Sequence, residues 1–265
     1  KQVELGAAEH KALAREAVRK SLVLLKNEHK ILPLSRNSRV LVVGSAANDL
    51  GKQVGGWSLT WQGSENQRTD FPGAQSLLDA IRSTVGAGQV LVAGEATDLK
   101  AAKADVAILV MGEDPYAEWF GDIPDNKTLA YAELKESYHQ DLQTLKQLKA
   151  AGIPVVTVLF SGRPLYVNEE INLSAAFVAA WLPGTEGEGI TDVLFKDAHD
   201  KPTYDFQGRL SFSWPFLKCA TTINRQPVNI PGWQRPSFEQ SLRGKNAPLF
   251  PYGYGLSYQQ PSPVA

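Results

Sequence analysis

The chain has 265 residues, enough for one large hydrophobic core or two small ones. Its 27 basic and 28 acidic side chains nearly cancel, and no run of like charge stands out, which argues against nucleic acid or an anionic membrane as a partner. A single cysteine, Cys219, excludes an internal disulfide and a multi-cysteine metal site, and no apolar run approaches the ~18 to 20 residues of a membrane span.

The first residues, KQVELGAAEHK, read as linker, with neither an initiator Met nor a basic-then-apolar signal pattern. Such a start suggests a mature form or an excised fragment. From Ala8 to Asn27, Leu13, Ala14, Ala17, Val18, Leu22, Leu24 and Leu25 recur at helical spacing and predict one amphipathic helix. Arg39 to Gly44 is a short β-branched run closed by glycine, the pattern of a strand buried on both faces of a parallel sheet. The following segment, to Arg68, is rich in Gly, Asn, Gln and Ser but has no G-x-G-x-x-G or P-loop spacing, so no nucleotide cofactor is indicated. It carries Trp57 and Trp61 among glycines and glutamines. Two such rings either plug the core or offer flat platforms for the apolar face of a sugar, and the local sequence leaves both open.

Phe71 to Val85 predicts a helix, Gln89 to Ala93 a strand and Ala96 to Ala104 a brief helix. Val106 to Met111 is a buried strand that ends in a loop running to Asp122, with three carboxylates, Glu113, Asp114 and Glu118, set among Tyr116, Trp119 and Phe120. A carboxyl held against aromatic rings is poorly solvated as an anion and suited to general acid work, which singles out Glu118. Asp141 to Ala150 predicts a helix, Ile153 to Phe160 a strand, and SGRPL follows with Arg163, which could bond a substrate hydroxyl, a loop carboxylate or only water. Ala175 to Leu182 predicts another strand, and Thr185 or Glu186 opens a further helix. Beyond Lys196 the periodicity fades; GRLSFSWP reads as one more short strand, at a sheet edge because of its proline, and APLFPYGYGLSYQQ as a tail packed onto the body.

Alternating helices and strands predict a three-layer α/β/α sandwich with a mostly parallel sheet and room for one antiparallel edge strand. Functional loops gather at the carboxyl ends of such strands, here after Val43, Met111, Phe160 and Leu182. No G-x-S-x-G marks a serine nucleophile, and the four histidines are scattered, with no pair at metal-ligand spacing. Carboxylates beside aromatic platforms remain, a combination that belongs to glycoside hydrolysis.

KSLVLLKNEHKILPL, VVGSAAN, GGWSLTWQG, VMGEDPYAEWFGD, FSGRPL, AAWLPGTEGEGITDVLF and FPYGYGLSY, in this order, resemble the second, α/β-sandwich domain of family 3 glycoside hydrolases, in the β-glucosidase and exo-β-glucanase branch. The resemblance implies that residues 1–12 link to a missing N-terminal (β/α)₈ barrel that supplies the nucleophile. Residues 13–216 would form the sandwich, and 217–265 an irregular extension packed on it. It further implies that Glu118 is the general acid/base, that Trp57 and Trp61 bind substrate, and that Glu113 and Arg163 support the loops. The substrate would be a β-glucoside or β-glucan oligosaccharide, no metal or cofactor would be needed, and the enzyme would be periplasmic or secreted. The chain alone would be inactive. A β-xylosidase of the same family and a non-catalytic carbohydrate-binding module are the alternatives.

Overall fold

A computed structural model describes residues 6–92, 103–123, 128–218 and 248–259. The helix predicted at Ala96 to Ala104 falls mostly outside them, as does Cys219. The described residues build one six-stranded sheet from β1 (Val23–Asn27), β2 (Val40–Val43), β3 (Val90–Val92), β4 (Val106–Gly112), β5 (Val155–Phe160) and β6 (Ala176–Trp181), in the order β1-β6-β5-β4-β2-β3. All neighbours run parallel except β1 and β6.

Alternate residues of each central strand serve opposite cores. Val40, Val42, Ile108, Val110, Val156, Val158 and Val178 face one cluster, and Leu41, Val43, Leu109, Met111, Leu159, Phe177 and Ala179 the other. The first is closed by α1 (Ala8–Ser21), α3 (Leu77–Val85) and α7 (Glu188–Leu194), which contribute Val18, Leu77, Ile81, Ile190 and Val193. The second is closed by α4 (Tyr131–Leu134), α5 (Glu136–Ala150) and α6 (Asn168–Leu173) through Tyr131, Tyr138, Leu145, Leu148 and Ile171. This is the expected three-layer sandwich. The capping box of Ser76 and Asp79 starts α3 nearer its own apolar run than the predicted Phe71.

Two expectations are corrected. The helix predicted to Asn27 stops at Ser21, and β1 takes its last residues. Leu22, Val23, Leu24 and Leu25 are all fully buried, Leu22 and Leu24 toward one core and Val23 and Leu25 toward the other, whereas Leu13 on the expected buried stripe is 66% exposed. Burial at every position is the signature of a strand covered on both faces, and tertiary packing overrides the helical spacing. GRLSFSWP is no sheet strand either; the antiparallel edge is β1. Leu210 and Trp214 instead exchange separate backbone bonds with Gly253, Tyr254, Leu249 and Phe250, and Leu256 N–H reaches the Leu24 carbonyl at 2.9 Å across the outer side of β1. The segment 248–259 thereby shields part of that edge.

Glu170 on α6 is 3% exposed. Burial pushes its carboxyl up to about 7 from an ordinary 4.5. The folded chain therefore holds this proton where the unfolded chain has released it, and stability falls as pH rises through that window. Glu170→Gln should remove this slope and stabilise the fold by on the order of 3 kcal/mol above neutral pH, with little effect below about pH 4.5, as measured by urea unfolding at both pH values.

Candidate active site

Four loops leave the carboxyl edge of the sheet, after β2, β4, β5 and β6, and they meet. Gln53, on α2 (Leu50–Val54) within the first loop, donates to the Gly184 carbonyl of the fourth at 2.7 Å. Gly56 lies so close to the loop after β4 that a Cβ would stand 2.0 Å from the Tyr116 carbonyl oxygen, so no larger residue fits there.

The loop after β4 is tied down at its root. Glu113 is only 5% exposed. Arg163 donates to Glu113 Oε1 from Nη2 at 2.7 Å and from Nε at 3.1 Å, while the Ser161 and Tyr116 hydroxyls donate to Oε2 at 2.7 and 3.0 Å. Burial, reinforced by the Glu113 charge, raises the Tyr116 phenol above its ordinary range and keeps it a donor at neutral pH. Arg163 also binds the Gly121 carbonyl and lies 4.5 Å from the centre of the Tyr116 ring. Asp114 is held by Lys52 at 2.7 Å and Lys135 at 2.6 Å. Burial alone would raise its carboxyl, but the bonds from Lys135 and Lys52 outweigh that and hold it below the ordinary value. Beneath the loop, Gly112 N–H donates to the Tyr131 hydroxyl, which donates to Asp141 at 2.7 Å.

Residues 117–120 form the tip, with the backbone at Ala117 and Glu118 bonded to Gln62. Among the described residues Glu118 is exposed, so the shielding expected from its aromatic neighbours is not found there. Trp57 and Trp61 lie beside the tip rather than in the core: they are 67% and 40% exposed, their ring centres are 6.2 Å apart, and Trp61 meets the edge of Trp119 at 5.1 Å. The structure thus joins Trp57 and Trp61 to the Glu118 loop, and pairs Glu113 with Arg163 at its root. A cleft of about 720 Å³ opens behind the loop, lined by Asn66, Arg68, Asp114, Tyr116, Phe120 and Lys135 among others, but not by Glu118 or the two tryptophans. Sequence reasoning gave no role to Gln62 or Lys52 and named Trp119 only as an aromatic neighbour of the carboxylates. Trp119 had a visible signal, an aromatic next to the suspected acid; Lys52 and Gln62 had none, since their roles depend on which backbone folds onto them.

Together these features define an α/β sandwich whose carboxyl edge presents the exposed Glu118 beside a cluster of tryptophans. The profile of the glycosyl hydrolase family 3 C-terminal domain matches residues 22–258, and the chain belongs to that family. It is 30% identical over 276 residues to a lysosomal beta glucosidase of Dictyostelium discoideum, a match covering 96% of this chain and 30% of that protein. It is also 30% identical over 288 residues to a periplasmic beta-glucosidase of Salmonella typhimurium, covering 94% of this chain and 35% of that protein. Among solved structures, the exo-1,3/1,4-beta-glucanase of a Pseudoalteromonas species is similar with a TM-score of 0.80 at 51% identity, over 97% of this chain and 29% of that one. The chain spans about a third of the length of these relatives.

Arg163→Met would leave the Glu113 carboxylate buried without its cation. Urea unfolding should register a loss of about 3 kcal/mol, the usual cost of breaking one side of a buried pair.

Proposed function

We propose that this chain is the acid/base-supplying domain of a retaining, exo-acting β-glucosidase or β-glucan exohydrolase, with Glu118 as the acid/base. The observation that carries the reading is the exposed Glu118 carboxyl on a loop tip with a fixed root, one residue from Trp119 and beside Trp61. The names of the relatives, two β-glucosidases and an exo-β-glucanase, support the substrate class.

In this reading an N-terminal (β/α)₈ barrel of the same enzyme supplies a nucleophilic carboxylate on the far side of the scissile bond, about 5–5.5 Å from Glu118. That carboxylate attacks the anomeric carbon as the glycosidic C–O bond breaks, and the Glu118 proton passes to the departing oxygen. Glu118, now a carboxylate, then takes a proton from water as the water oxygen attacks the same carbon and frees the nucleophile. Trp57 and Trp61 flank the leaving-group side, where flat rings pack on the apolar face of a sugar. Glu113 and Arg163 hold the loop and take no part in proton transfer. In this reading residues 1–12 lead from the barrel into α1, which already begins at Ala8, while 13–216 form the rest of the sandwich and 217–265 its extension. The relatives described as lysosomal and periplasmic support a periplasmic or secreted enzyme.

The test is Glu118→Ala in the full-length enzyme. kcat/KM should fall by about 10²- to 10⁴-fold on cellobiose, the range of a lost general acid, and far less on an aryl glucoside with an activated leaving group. Azide should restore turnover of the activated substrate; an unchanged rate on cellobiose would remove Glu118 from the role. Comparing glucosides with xylosides separates the β-xylosidase alternative. The 265-residue chain alone should show no turnover of aryl β-glucosides and only weak quenching of tryptophan fluorescence by glucose; tight binding would favour a non-catalytic module.

A further inference from the structure

Gln62 follows Trp61 in the loop after β2 and is 7% exposed. A buried carboxamide must find partners for its donor and acceptor, and Gln62 finds both on the Glu118 loop. Its Oε1 accepts from the Ala117 N–H at 2.7 Å, and its Nε2 donates to the Glu118 carbonyl at 3.0 Å. These two backbone atoms bracket residues 117 and 118, so one planar amide restrains the backbone torsions of both. That backbone sets where the Glu118 side chain starts.

The other end of the clamp is anchored as well. Trp57 N–H donates to the Trp61 carbonyl at 2.9 Å, closing the turn that holds the two tryptophans. Gly63 has φ +82°, and a Cβ there would stand 2.6 Å from the Gly55 carbonyl oxygen and 3.0 Å from Pro115 Cβ. Gln62 is therefore fixed between a turn carrying Trp61 and a glycine pressed on the root of the acidic loop. Nothing else among the described side chains bonds the backbone of both residues 117 and 118.

We infer that Gln62 is the positioning residue of the acid/base, locking Glu118 at a set reach from a glycoside whose leaving group lies against Trp61. The inference rests on Glu118 being the acid/base. A general acid must lie within about 2.6–3.2 Å of the oxygen it protonates, and a misplacement of about 1 Å costs on the order of 10²-fold in rate. Loss of the clamp should therefore act on proton donation and spare reactions that need none.

The test compares Gln62→Met, Glu118→Ala and the double variant in the full-length enzyme, using kcat/KM on laminaribiose and on 2,4-dinitrophenyl β-glucoside. Gln62→Met keeps the volume and removes both bonds. It should lose about 10- to 100-fold on the disaccharide and less than about 3-fold on the activated substrate. The double variant should be no slower than Glu118→Ala alone, because the clamp has no acid left to position. If Gln62→Met fails to fold, Gln62→Glu keeps the acceptor for Ala117 N–H, loses the donor to the Glu118 carbonyl, and carries the same expectation. A selective loss in Glu118→Ala with equal losses on both substrates in the Gln62 variant, or with additive losses in the double variant, would overturn the positioning role alone. Absence of a selective loss in Glu118→Ala would overturn that role together with the acid/base assignment beneath it.

Discussion

Glu113 is a carboxylate taken out of water where β4 stops being a strand, and the geometry of the site depends on how that charge is satisfied. Burying an isolated carboxylate costs several kcal/mol, so the arrangement persists only if matching donors converge on it. Here they come from two places at once: Arg163 and Ser161 on the loop after β5, and Tyr116 three residues further along the same chain. Arg163 also holds the Gly121 carbonyl, so one guanidinium grips both ends of the segment between residues 113 and 121. What is left between those ends is a short tip, and Glu118 sits on it.

The tip and its surroundings break the usual surface rules. Trp57, Trp119 and Phe120 are 67%, 69% and 80% exposed, close together at one edge of the sheet. Trp57 and Trp119 both have positive φ, 53° and 67°, a conformation that costs a side-chain-bearing residue energy. Strain at two exposed tryptophans is tolerable only because the surrounding bonds over-determine the backbone. Gln62 bonds the backbone at Ala117 and Glu118, next to Trp119, and Lys52, 6% exposed, bonds the Gly112 carbonyl at 2.9 Å and Asp114 at the root of the same loop. Rigid rings left in water, on a backbone that resists relaxing, are pre-organised to meet another surface.

Much of the scaffold was legible because its strands are buried on both faces. Runs such as VLVV and VAILVMG admit few other readings, and the rule that loops function at carboxyl ends then picked out four that do meet. β1 was misread because four successive apolar residues satisfy a helical stripe and a strand covered on both faces equally; only the second core, unseen in the sequence, distinguishes them. GRLSFSWP alternates like a strand, yet its partner is an irregular tail that bonds it at separate points. At the site, residue chemistry identified the carboxylates and the tryptophans, though whether Trp57 and Trp61 are exposed was left open by the residues alone. It singled out Glu118 by its aromatic neighbours, whereas the burial that separates Glu113 from Glu118 arises from Arg163, fifty residues away in the chain.

The exposure of Glu118 bears on how such a site would work. A general acid gains from a low-dielectric, water-excluded setting, and among the described residues Glu118 is exposed, next in sequence to Trp119, whose ring meets Trp61. If the second carboxyl group stood on the same loop, the two would approach before substrate arrived, and mutual repulsion would raise the proton affinity of one of them in the empty site. In the proposed arrangement, with the nucleophile on a separate folded body, each carboxyl group would take its charge state from its own surroundings. On that logic the rigidity of the loop root and the openness of its tip belong together: Glu113, Arg163 and Gln62 fix the position of Glu118 in advance, and the covering surface is left to whatever closes over the tryptophans.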